Sequence, residues 1–158
     1  MRALLPVLAL LAACTPQAPT IVGRASVIDG DTLEIHGQRI RLWGVDAPEG
    51  RQSCDAADGS AYACGRLSAN RLDQHLQDRV VSCFEEDIDR YGRMVARCEV
   101  DGVDVGGWLL RQGLAARYAR YAGSAYVAEE QAARRGRVGI WAGRFTTPED
   151  WRRQRRGD

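Results

Sequence analysis

Three acidic side chains and two arginines stand at spacings that could hold a cation and an anion side by side. Asp31 lies in "DGDT" (29–32), Arg41, Asp46 and Glu49 lie in "RLWGVDAPE" (41–49), and Arg93 closes "DRYGR" (89–93). Two hard carboxylates, with waters and a backbone carbonyl, make a Ca²⁺ site. A planar, permanently charged guanidinium suits an anion gathering charge on its oxygens. A free Glu can take a proton from, or orient, an attacking water. Hydrolysis of a phosphodiester needs each of these roles. Singly, each piece has a structural explanation. "DG" is a common turn between strands, Arg41 could face outward between Ile40 and Leu42, and "DRYGR" could be a plain hairpin turn with Gly92 at positive φ.

Positioning them is a task for strands. "IVGRASVI" (21–28), "TLEIH" (32–36) and "RIRLWGV" (39–45) are rich in apolar and β-branched residues and are separated by turn signals, which predicts a three-stranded meander. Asp31 opens its second strand and Asp46 ends its third, so the meander could bring the two carboxylates together. A helix is expected over 58–78, with Tyr62, Leu67, Leu72 and Leu76 on its apolar side, and two strands near 79–86 and 93–100. Asp104 is a candidate N-cap for a helix closing at Gly113, Ser124 for a second, and Thr147, followed by Pro148, for a short C-terminal one. The class is α+β, mainly β: a small five-stranded, closed or partly open barrel with three to four helices.

Composition narrows the chemistry. The 158 residues fit one domain with a real core, and all 22 basic residues are arginines. The lack of lysine excludes a Schiff-base or Walker-type lysine, and two histidines leave acid–base work to carboxylates. Residues 1–110 carry 11 arginines and 16 acids, a net −5; residues 111–158 carry 11 arginines and 5 acids, a net +6. An arginine-rich C-terminal third suits a polyanion, although solvated helix faces give the same count.

The N-terminus, "MRALLPVLALLAAC", reads as an export signal over 1–13, too short to span a bilayer as a mature helix. "LAAC" resembles the bacterial lipoprotein box, which would make Cys14 a lipidation site on an outer-membrane lipoprotein facing periplasm or exterior; an ordinary secretory signal, giving a soluble periplasmic or secreted protein, is the alternative. Residues 14–20 would be a tether, 21–145 the folded domain and 146–158 a short basic helix or tail. The other four cysteines are an even number in a presumptively oxidising compartment. If "VVSCFEE" and "RMVARCEV" pair around residues 90 and 91, Cys83 faces Cys98, and Cys54 is left to pair with Cys64. A metal site at these cysteines is the weaker alternative, since no CxxC pair occurs.

"VIDGDT", "RIRLWGVDAPE" and "DRYGR", in this order and with "GVDVGGWLLRQGLA" and "GIW" following, resemble the thermonuclease (staphylococcal nuclease-like) family over residues 22–143. The resemblance implies an OB-fold barrel and Ca²⁺-dependent hydrolysis of DNA and RNA to 3′-phosphate products by a monomer. It implies catalytic roles for Arg41, Glu49 and Arg93, and Ca²⁺ binding by Asp31, Asp46 and the backbone carbonyl of Ala47, where the family often has Thr. Of the family's tyrosine pair near the nucleotide, Tyr121 matches one member; Ala119 stands at the other position, with Tyr118 beside it. The segment carrying Cys54 and Cys64 also departs from the pattern. Two other functions remain compatible with such a chain: a nucleic-acid-binding module on the same barrel, and a disulfide-stapled envelope protein that only contacts other proteins.

Overall fold

The computed structural model describes residues 18–157; the export signal, Cys14 and the start of the tether lie outside them. Strands β1 (Ile21–Arg24), β2 (Ser26–Asp29), β3 (Thr32–Ile35), β4 (Gln38–Leu42), β8 (Val80–Ile88) and β9 (Met94–Val100) form one sheet in the order β1-β8-β9-β4-β3-β2. Short two-residue strands complete the β structure: β5 (Val45–Asp46) pairs with β11 (Ala116–Arg117), β6 (Cys54–Asp55) with β7 (Ala61–Tyr62), and β10 (Val103–Asp104) with the edge of β9. The helices are α1 (Cys64–Leu76), α2 (Val105–Arg111), the single turn α3 (Ala119–Ala122), α4 (Val127–Arg135) and α5 (Pro148–Arg156), with a 3₁₀ turn at Gly139–Trp141.

The meander is present as β2-β3-β4, but the first apolar run divides. Ile21–Arg24 pairs with β8 and Ser26–Asp29 pairs with β3, so one stretch of chain switches partners at Ala25. Because β1 and β2 stand at opposite ends of the strand order, this switch curls the sheet back on itself, as the OB-fold requires. β4 and β9 run parallel, and the other pairings in this sheet are antiparallel.

Alternation fills the interior. Along β9, Met94, Ala96, Cys98 and Val100 are buried while their neighbours are only partly so, and Ile40 and Leu42 of β4 point the same way. They meet Leu33, Ile35, Leu72, Leu76, Val81, Val105, Leu109 and Leu110 in one core. Arg41, between Ile40 and Leu42, is thereby turned to the opposite face.

Cys83 and Cys98 face each other across β8 and β9, 4.0 Å apart at Cα, and their sulfurs are bonded; Cys54 is bonded to Cys64. Replacing both Cys83 and Cys98 by Ala should lower the unfolding free energy by about 3 kcal/mol, the loop-closure value for a bridge of this span. Urea denaturation of oxidised wild type and the double variant measures it.

Three local expectations need correction. The helix expected from residue 58 starts only at Cys64, because Asp58 turns the chain by accepting from Ser60 N (2.9 Å) and Gly59 takes φ +83°, which leaves 61–62 as strand. Ser124 caps nothing: α4 begins at Val127, after Tyr126 in a left-handed conformation (φ 63°). Tertiary packing overrides the local cap here, since the half-buried Tyr126 ring packs against Trp43 and its hydroxyl donates to Asp104 Oδ2 at 3.0 Å. The described residues form five α-helices rather than three to four, the unexpected one being the single turn α3. Asp104 does cap α2, accepting from Gly107 N, and Thr147 caps α5 with Pro148 at its first position.

Candidate active site

Five separate pieces of chain converge on one cleft of about 680 Å³, lined among others by Asp31, Arg41, Glu49, Arg93, Tyr118, Tyr121 and Arg152. Asp31 stands in the β2–β3 turn. Gly30 lets that turn press against α1 and Ala47, where a Cβ would lie 2.5 Å from Ser68 Oγ. Asp31 is only 5% exposed; its Oδ2 accepts from Ala47 N (3.0 Å) and its Oδ1 from Thr32 Oγ1 (3.3 Å). Asp46 is held by the pairing of β5 with β11, opposite Ala116.

Arg41 bridges the two carboxylates. It sits opposite Thr32 in the β3–β4 register, and its Nη1 reaches Asp31 Oδ1 at 3.4 Å while Nη2 reaches Asp46 Oδ1 at 3.1 Å. Burial opposes its charge, but Asp31 and Asp46 outweigh that effect and hold the guanidinium above its ordinary pKa. Its guanidinium carbon also lies 5.8 Å from the centre of the Tyr118 ring. Burial pushes the Asp31 carboxyl up to about 7, even with Arg41 pulling it down. A buried carboxylate compensated only in part by one guanidinium is a place for a further cation. Asp31 and Asp46 thus fit a hard divalent ion that completes its shell with carbonyl and water oxygens. Among the described residues no group of three or more His, Cys, Asp or Glu side chains could hold a metal.

Glu49 is placed by its backbone. The buried Gln52 accepts from Glu49 N through Oε1 (3.2 Å) and donates through Nε2 to Thr146 O (2.6 Å). Gln52 N in turn donates to Glu49 O at 2.7 Å. The first turn of α1 packs directly on this loop, which only glycine allows: a Cβ at Gly65 would sit 1.8 Å from the Glu49 carbonyl oxygen.

Arg93 arrives on the β8–β9 hairpin. Asp89 shapes the turn by accepting from Tyr91 N (2.9 Å) and Arg93 N (3.0 Å), and it takes Arg93 Nε at 2.7 Å. Arg93 therefore enters the cleft already oriented by an acid that needs none of its Nη protons for this bond. Tyr118 and Tyr121 stand edge to face, 4.8 Å between ring centres, and both line the cleft; Tyr121 is 56% exposed and open to a stacking partner.

Arg152 is a site residue that nothing in its local sequence marks as one. The short basic C-terminal helix expected from Thr147 and Pro148 is α5; it packs beside the cleft, and Arg152 reaches Asp46 and Glu49 with bonds of 2.7 to 2.9 Å. Burial disfavours its charge, but these hydrogen bonds and carboxylates prevail and raise its pKa. The only local signals, for the helix itself, were the Thr147–Pro148 cap and the density of arginines that follow.

Over 126 residues the chain is 44% identical to the succinoglycan biosynthesis protein ExoI of Rhizobium meliloti (strain 1021), covering 78% of this chain and 66% of that protein. It is 37% identical over 129 residues to a probable staphylococcal-like nuclease of Oryza sativa subsp. japonica, covering 80% of this chain and 36% of the relative. An uncharacterized endonuclease of Escherichia coli O157:H7 is 31% identical over 127 residues, covering 77% and 76% of the two chains. The chain thus spans two thirds or less of the first two relatives. Residues 39–143 match the family described as staphylococcal nuclease homologue, a span that contains Arg41, Asp46, Glu49 and Arg93. With the curled sheet and this cleft beneath it, the chain belongs to the staphylococcal nuclease homologue family.

Proposed function

We propose that the protein is a calcium-dependent nuclease that hydrolyses phosphodiester bonds of DNA, RNA or both, leaving 3′-phosphate ends. The observation that supports this most is the convergence of Asp31, Arg41, Glu49 and Arg93 on one cleft, with Asp46 bonded to the cleft-lining Arg41 and Arg152. Relatives named as nuclease and endonuclease point the same way.

Asp31 and Asp46, with the Ala47 carbonyl, would hold calcium. When bound, the ion would supply a Lewis acid for a non-bridging phosphate oxygen. Arg41 and Arg93 donate to the remaining phosphate oxygens as charge accumulates on them in the transition state. Glu49, fixed through Gln52, orients the attacking water and accepts its proton as the new P–O bond forms. For a 3′-phosphate product the bond that breaks is the one from phosphorus to the 5′ oxygen, whose alcohol leaves on the other fragment. Tyr118 and Tyr121 offer ring faces to a base, an arrangement suited to unpaired nucleotides. Catalysis needs no second subunit in this arrangement, because each group comes from one chain.

Mass spectrometry of a short single-stranded oligonucleotide after incubation with calcium tests this reading. Fragments ending in 3′-phosphate are expected for DNA, RNA or both. Fragments ending in 5′-phosphate would contradict the proposed bond cleavage, and tight binding with no cleavage would leave a binding module in its place.

A further inference from the structure

Both oxygens of Asp46 are already engaged by a cation that the protein itself supplies. Arg152 Nη1 donates to Asp46 Oδ1 at 2.9 Å and Nη2 to Asp46 Oδ2 at 2.9 Å, a two-pronged fork on one carboxylate. The same Nη1 donates to Glu49 Oε1 at 2.7 Å, so one guanidinium ties down the carboxylate assigned to calcium and the one assigned to water. Arg41 Nη2 adds a third donor at Asp46 Oδ1.

The placement is specific to this arginine. α5 is anchored at its base by the buried Pro148 and by the Gln52 bond to Thr146, which aims its second turn into the cleft. The adjacent Arg153 faces elsewhere and pairs with Asp150 on its own helix. A divalent ion bound at 2.3–2.6 Å from a carboxylate oxygen and a guanidinium forked on that same carboxylate put like charges within a few ångströms of each other. The two cations compete for Asp46.

We propose that Arg152 is a further active-site residue: an internal cation that holds Asp46 and Glu49 and must give them up for calcium to bind. This rests on the calcium reading above. Calcium binding and the docking of α5 in the site are then linked, and each weakens the other. If the fork is closed about nine-tenths of the time, removing it tightens the apparent calcium affinity about tenfold.

Calorimetric titration of the full chain with calcium chloride, without nucleic acid, tests the competition. Arg152→Gln should bind calcium about tenfold more tightly than wild type. Arg152→Lys, which keeps the charge but loses the fork, should fall between them. Arg153→Gln, the same charge change one residue away, should alter the affinity by less than about twofold. Equal affinities for wild type and Arg152→Gln, or an equal gain in Arg153→Gln, overturn the proposal and leave the calcium reading standing. No binding in any form removes the calcium reading and the proposal with it. Should Arg152→Gln not fold, hydrogen exchange of wild type decides: saturating calcium should speed exchange along 148–157, and unchanged exchange there overturns the proposal.

Discussion

Glu49→Gln should lower the rate of phosphodiester hydrolysis by about 10²–10⁴, the span associated with a positioned general base. The substitution preserves size and leaves the loop's anchors in place, because Gln52 grips Glu49 through its backbone N and O rather than its carboxylate. Arg152 keeps its fork on Asp46, and the bond it loses is one of three to that guanidinium. Folding and calcium binding should therefore persist while turnover falls, a separation readable by circular dichroism and calorimetry beside a steady-state assay. A variant that turns over at the wild-type rate would remove Glu49 from the mechanism, whatever the position of its side chain.

The second large effect belongs to Arg41. Arg41→Lys keeps a positive charge in the cleft but replaces a planar fork by a point donor, which cannot meet Asp31 and Asp46 together and still face a phosphate. A rate loss of about 10²–10³ is expected, the cost of removing one donor aimed at developing charge. Removing one partner of a buried ion pair commonly costs about 3–5 kcal/mol. The loss for Arg41→Met should be smaller, because Asp31, already pushed up to about 7, can take up a proton and Arg152 still holds Asp46. The variant should thus stay folded and be nearly inactive. Urea denaturation and steady-state kinetics on the same preparation separate the two effects, and near-wild-type kinetics would contradict the role given to the guanidinium.

Much of this site can be read along the chain because its parts are local. Arg41, Asp46 and Glu49 fall within nine residues, so a strand, a short pairing and a proline turn suffice to fix their order. Asp31 follows from the meander, whose apolar residues alternate with polar ones as Leu33 and Ile35 in β3 and Ile40 and Leu42 in β4. The Cys83–Cys98 pairing is visible in the symmetry of its hairpin. Arg152 was not legible, since it lies 103 residues beyond Glu49 and is brought back by the Gln52–Thr146 bond and the seating of α5. The split of the first strand was hidden for a similar reason: an apolar run does not record that its two halves pair with different neighbours. Ser124 looked like a cap because capping is a local signal, while the start of α4 is set by the burial of Tyr126.

In the proposed function, Asp31, Asp46, Arg41, Arg93 and Glu49 form one calcium-dependent hydrolytic site. Its most direct test is cleavage of single-stranded DNA and of RNA by wild type and Glu49→Gln, each with calcium and with EGTA. Rapid cleavage only by wild type with calcium is the predicted result. Cleavage at the same rate in all four conditions would contradict it.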